Sequence, residues 1–142
     1  MKAHLPARWL RRVIRSRPTE VDTVCLEIRA FMAASGLTVR SFAVELIARE
    51  CLNNAVLHGN QQHADKNVRL ELHWGRRWLR LQIADEGAGF NWRTARGRPA
   101  EASAVSGRGL AIAKLYADRV AFNRRGNQIT LWLDKNKTLT KN

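Results

Sequence analysis

The run from Phe42 to Gly59 holds the feature that most constrains this chain. Phe42-Ala43-Val44-Glu45-Leu46-Ile47-Ala48 is apolar except at Glu45, which predicts a helix buried over most of its circumference. At about 100° per residue, Glu45, Arg49 and Asn53 gather into one polar stripe that can face water. Glu50 and Asn54 lie off that stripe, roughly 100–140° from its centre, in the sector of Ala43 and Ile47. Four residues apart, the carboxylate and the amide point the same way from adjacent turns. Burying both among apolar neighbours is costly unless each finds a partner. Another helix, a turn or a ligand can supply one, and this stretch alone leaves the choice open.

Two glycine-rich elements follow. Asp85-Glu86-Gly87-Ala88-Gly89-Phe90 comes directly after an alternating apolar run, and Ser106-Gly107-Arg108-Gly109-Leu110 opens a helix-like stretch. Either alone is ordinary punctuation. In this order, however, Glu50-x-x-x-Asn54, Asp85-x-Gly87-x-Gly89 and Gly107-x-Gly109-Leu110 resemble the asparagine box and the two glycine boxes of the GHKL ATP-binding superfamily. The short length and the Asn54-Ala55…His58-Gly59 ending are most similar to the bacterial anti-sigma-factor serine kinases of the RsbW type. The resemblance spans about residues 20–133.

In chain order, residues 1–18 form a basic segment in which Trp9 to Ile14 reads as a first strand, ended near Pro18. Thr19 is the expected cap of a helix whose core face is Val21, Val24, Cys25, Ile28, Phe31 and Met32, with Gly36 as its stop. A second helix is expected from Val39 to His58, stopped by Gly59. Val68, Leu70 and Leu72 alternate with Arg69, Glu71 and His73, and Trp78 to Ala84 alternates likewise. These predict a hairpin with Asp85 at the mouth of its second strand. Asn91 to Val105 lacks a period and is expected to be a mobile lid. A third helix is placed near Gly109, then a hairpin of Arg119–Phe122 and Gln128–Leu133 around Asn123 to Asn127. Residues 19–134 make the ATP-binding domain of this reading, and residues 135–142 a disordered tail. The fold class is α+β: a two-layer sandwich of about three helices over one face of a mainly antiparallel sheet. The resemblance implies the same, a Bergerat-type fold.

With 142 residues, 45% of them apolar, the chain fits one domain with one core. Cys25 and Cys51 both fall in apolar helical runs and are read as buried thiols of a reducing cytosol. No apolar run approaches the ~20 residues that span a bilayer, so a cytoplasmic protein without a membrane partner is expected. The formal charge is +13, and Lys2, Arg8, Arg11, Arg12, Arg15 and Arg17 crowd the first seventeen positions without one acid. Such a surplus attracts nucleotide phosphates, nucleic acid or an acidic protein, or serves solubility. Direct nucleic-acid binding is the lesser expectation, because no zinc-finger spacing, zipper heptad or RNA-binding aromatic signature is present.

The resemblance implies chemistry for each box. Asp85 would accept the adenine amino proton, with Gly87 and Gly89 leaving bare backbone beside the ring. Gly107, Arg108, Gly109 and Leu110 would open a helix whose free N–H groups meet the phosphates. Asn54 would ligate Mg2+, and Glu50 would be the general base. His58 reads as a helix-end residue and Asn53 as solvated. The implied function is phosphoryl transfer from ATP to a serine of a small antagonist (anti-anti-sigma) protein, with a sigma factor as a second partner and room for a homodimer. The alternatives are an ATP-dependent binding module without catalysis and the catalytic piece of a split histidine kinase.

Overall fold

A computed structural model of the chain describes residues 7–89 and 104–137, with side chains from Leu110 onward in the second span. The elements run β1 (Trp9–Arg15), α1 (Pro18–Ala34), α2 (Thr38–Asn54), a π-helical turn (Ala55–Gly59), β2 (Asn67–Trp74), β3 (Trp78–Ala84), α3 (Ala104–Tyr116), β4 (Arg119–Phe122) and β5 (Gln128–Asp134). The strands form one sheet in the order β1-β2-β3-β5-β4, every neighbouring pair antiparallel. Helix α1 packs on α2 and β1, α2 on α3 and β3, and α3 on β4. This is the α+β sandwich expected from the sequence. The lid expected over Asn91 to Val105 lies almost wholly outside the described residues, and so does most of the tail.

The alternating strands put Val68, Leu70, Leu72, Leu79, Leu81, Ile83, Leu131 and Leu133 on the helix side, all of them buried. Val21, Val24, Cys25, Ile28 and Met32 of α1 and Ala43, Val44, Ile47, Ala48, Cys51 and Leu52 of α2 close over them. Each fully buried Leu or Ile contributes roughly 1.5–3 kcal/mol relative to exposure. The polar stripe of α2 meets α1 as much as water. Arg29 of α1 donates to both Glu45 oxygens at 3.0 and 2.6 Å, and Arg49 reaches Asp22 at 2.6 Å.

Helix ends differ from the sequence expectation in three places. Thr19 does not cap α1: Pro18 takes the first helical position, where a missing N–H costs nothing, and Arg17 is the cap residue without a side-chain bond. At the other end Gly36 (φ +70°) lets its own N–H reach Ala33 O and the Leu37 N–H reach Met32 O. That closes the helix as a Schellman motif over buried Met32 and Leu37. Helix α2 does not run as one α-helix to His58. Beyond Asn54 it widens into the π-helical turn, where the Asn60 N–H bonds to Ala55 O at 2.8 Å. Helix α3 is already helical at Ala104, ahead of the expected start near Gly109: its two glycines, Gly107 and Gly109, cost about 1 kcal/mol each, and packing on α2 offsets this. Among the described residues no helix is long and apolar enough to cross a membrane.

Candidate functional site

A cleft enclosing about 690 Å³, counted with its open mouth, lies between the end of α2, the π-helical turn, Leu110 of α3 and the ends of β3, β4 and β5. Its apolar lining includes Ile83, Leu110, Phe122 and Ile129, and its polar groups include Asn54, Asp85, Asn127 and Gln128. An apolar slot with a few convergent polar groups is the usual form of a small-molecule site. Three segments far apart in sequence thus converge through Asn54, Asp85 with Gly89, and Leu110.

Asp85 is the most constrained of these groups. Its backbone N–H bonds to Asn127 O at 2.9 Å, and its Oδ1 accepts the Gly87 N–H at 2.7 Å. Its Oδ2 has no hydrogen bond among the described residues. Burial pushes the carboxyl above its ordinary value, opposed by the Gly87 N–H and by Lys66. A carboxylate that is partly desolvated and has one oxygen free is ready to accept a proton donor from a ligand.

The glycines around Asp85 also allow close main-chain packing. A methyl group on Gly87 would fall 2.0 Å from Gly59 O, and one on Gly89 (φ +85°) 1.8 Å from Arg125 O. Main chain therefore fills the side that a methyl group would occupy at each. Gly87 itself is buried and is not part of the cleft lining, whereas Gly89 is.

Two asparagines that the sequence reading passed over hold this loop. Asn60, fully buried, donates to Ser16 Oγ at 2.9 Å and Asn67 O at 2.8 Å, and its Oδ1 accepts the Glu86 N–H at 2.8 Å. Glu86 returns the link by accepting the Asn67 N–H at 2.6 Å. From the other side Asn127 donates to Gly87 O at 3.2 Å, while Asn123 Oδ1 accepts three N–H groups of its own turn at 2.9 to 3.2 Å. The spacing Asn123-x-x-x-Asn127 is the signal available in the sequence, where it predicts only a turn.

Glu50 and Asn54 are both half-buried, and neither has a hydrogen-bond or ion-pair partner among the described residues. Asn54 lines the cleft; Glu50 does not, but sits one turn earlier, about 6 Å along the helix axis. His58 lines the cleft from the π-helical turn. Cys51 lies beside Glu50, and burial, aided by the Glu50 charge, pushes its thiol up to about 12, so it is an inert wall of the cleft. Helical structure is described from Ala104, so Gly107, Arg108 and Gly109 lie inside α3 and do not open it. The N–H groups a helix leaves free are those of its first turn, so those of Arg108 and Gly109 are not among them, contrary to the expectation from the sequence.

Residues 14–133 match the histidine kinase-like ATPase domain. A solved histidine kinase domain from the Erythrobacter litoralis EL346 blue-light activated histidine kinase is similar in fold, with TM-score 0.56 and 15% identity over 98% of this chain and 68% of that one. No curated protein matches. The family match covers most of the chain, its region contains the sheet, helices and cleft described above, and the chain belongs to the histidine kinase-like ATPase domain family.

Proposed function

We propose that this domain binds Mg-ATP in the cleft and transfers a phosphoryl group to a serine of a small antagonist protein, as a partner-switching regulator of the anti-sigma-factor kinase kind. One observation carries the reading. Asn54, Asp85 and Leu110, drawn from the three sequence boxes, line the same apolar cleft. The residues present fit a nucleotide with its metal: among the described residues Asp85 Oδ2 and the Asn54 amide have no partner, which leaves the one for the adenine amino group and the other for the metal, and Ile83 and Ile129 offer apolar walls. Gly89 borders the base, while Gly87 supports Asp85 from behind. Mg2+ would supply charge neutralisation at the phosphates. The N-terminal end of α3, with Gly107, Arg108 and Gly109 close behind it, would meet the phosphate end.

Glu50 is the proposed base. A half-buried carboxylate one turn before Asn54, with no structural partner among the described residues, can accept the proton of an incoming serine hydroxyl. The sigma factor or antagonist would be recognised outside the cleft. The test is incubation with terminally labelled ATP and a candidate antagonist protein, followed by mapping of the label. Acid-stable label on serine is the expected result. Acid-labile label on a histidine would assign the domain to a split histidine kinase, and ATP-dependent association without transfer would make it a binding module.

A further inference from the structure

The helices cover one face of the sheet; among the described residues nothing covers the other. Strand alternation sends Trp9, His73, Arg80, Trp132 and Arg119 to this open face. The register aligns them: Trp9 pairs with His73, His73 with Arg80, Arg80 with Trp132, and Trp132 with Arg119. The result is one row crossing all five strands, about 19 Å long at ~4.8 Å per strand. The rings of Trp9 and His73 lie 4.0 Å apart, centre to centre. Guanidinium groups sit on the tryptophans: Arg11 at 4.3 Å and Arg80 at 5.5 Å from Trp9, and Arg119 at 4.9 Å from Trp132. Trp9 is 40% exposed, and Trp78, farther along the same face, 38%. Burial, with Arg80, Arg8 and Arg11 nearby outweighing Glu71, lowers the His73 value, so its ring is a neutral flat surface near neutral pH.

The charge on this face is one-sided. Its two acids, Glu71 and Asp134, are already paired with Arg11 and Arg77. Arg69 has no acidic partner among the described residues, and Arg80 Nε is buried without a hydrogen bond. A second copy of the chain laid on this face would set the same arginine-rich patch against itself, since a two-fold contact is self-complementary. An acidic protein would satisfy the guanidinium groups but not the row of flat rings. Single-stranded nucleic acid offers both phosphates and stackable bases, and an open sheet bearing aromatics and cations is a known way to hold it.

We propose that the open face of the sheet binds single-stranded nucleic acid, with bases stacked on Trp9, His73 and Trp132 and phosphates met by Arg80, Arg69 and Arg119. The row has room for up to about five nucleotides at 3.4 Å or more of strand each. It lies across the sheet from the cleft, whose walls Ile83 and Ile129 point to the helix side, so the two sites are separate.

The experiment is fluorescence anisotropy of a labelled oligothymidylate of about twelve nucleotides, within the usual site sizes, with tryptophan emission recorded in parallel and a duplex of equal length as comparator. The single strand should bind more tightly than the duplex, quench tryptophan emission and weaken linearly with the logarithm of salt. Trp132→Ala and Arg80→Gln should each lower affinity about tenfold while ATP binding is kept. Should Trp132→Ala fold poorly, Arg69→Glu, at an exposed position, gives the same reading. Unchanged affinity in these variants would overturn the proposal, as would equal duplex binding without quenching. A dimer dissolved by Trp132→Ala, with no oligonucleotide bound, would overturn it in favour of a second copy.

Discussion

The carboxylate of Asp85 rests against the bare α-carbon of Gly59, so closely that a methyl group there would fall 2.3 Å from Asp85 Cγ. Since no left-handed dihedral is required at Gly59, its alanine variant tests packing alone. Gly59→Ala should displace Asp85 and lower ATP affinity at least about tenfold, the loss of one hydrogen bond to a charged group. Calorimetry showing parental affinity would separate Gly59 from the site.

Asp85→Asn should divide stability from binding. Asparagine keeps an Oδ1 acceptor for the Gly87 N–H but turns the free oxygen into a donor, at a cost of about 1–3 kcal/mol in ATP affinity. The folded carboxyl titrates above its ordinary 3.8. The folded state therefore holds this proton more tightly than the unfolded chain does, and stability falls as pH rises through the folded value. The uncharged variant escapes that loss. Without nucleotide it should melt higher than the parent at neutral pH, and the gap should close as the pH drops below 3.8. A parent that melts higher at neutral pH would contradict this.

Glu50→Gln and Asn54→Ala should fail differently. The first keeps shape and polarity but removes the base, so ATP binds while transfer to serine drops roughly 10²–10⁴-fold. The second removes the metal ligand and should weaken both nucleotide binding and transfer. Parental transfer rates in a folded Glu50→Gln protein would leave this domain an ATP-binding regulator whose catalysis, if any, lies elsewhere.

Asn60→Ala should lower stability by about 1–3 kcal/mol, because the Glu86 N–H and Asn67 O lose their buried partner. Urea unfolding measures the loss. ATP affinity should fall with it, as Glu86 adjoins Asp85. An unaltered urea midpoint would mean that water replaces the amide.

The sandwich was legible because two periods, alternate residues in the strands and three-to-four spacing in α1 and α2, point to one core. The cleft was legible through Asn54, Asp85 and Leu110, since each stands at the end of a periodic run. Main-chain packing was not. Nothing in the order of residues shows that Gly87 faces Gly59 O or Gly89 faces Arg125 O, because those contacts depend on how separate elements close. The start of α3 was missed for a local reason: glycines suggest a boundary, and tertiary support overrode them. The Trp9–Trp132 row was hidden for a global one. Its members are brought together by register across five strands, so no sequence window contains an aromatic motif.

The π-helical turn from Ala55 to Gly59 makes the chain's length there a structural parameter in its own right. A bond from Asn60 back to Ala55 encloses one residue more than an α-turn does. Deleting a single residue within this turn would leave an ordinary α-turn closed by the same bond from Asn60 to Ala55 O. A deletion in the α-helical part of α2 has no surplus residue to draw on and would swing whatever follows by about 100°. Gly59 would leave Asp85, and Asn60 would leave Ser16, Asn67 and Glu86, although no side chain of the cleft had been substituted. The site is thus more exposed to a one-residue deletion within α2 than to one in the wide turn that follows it.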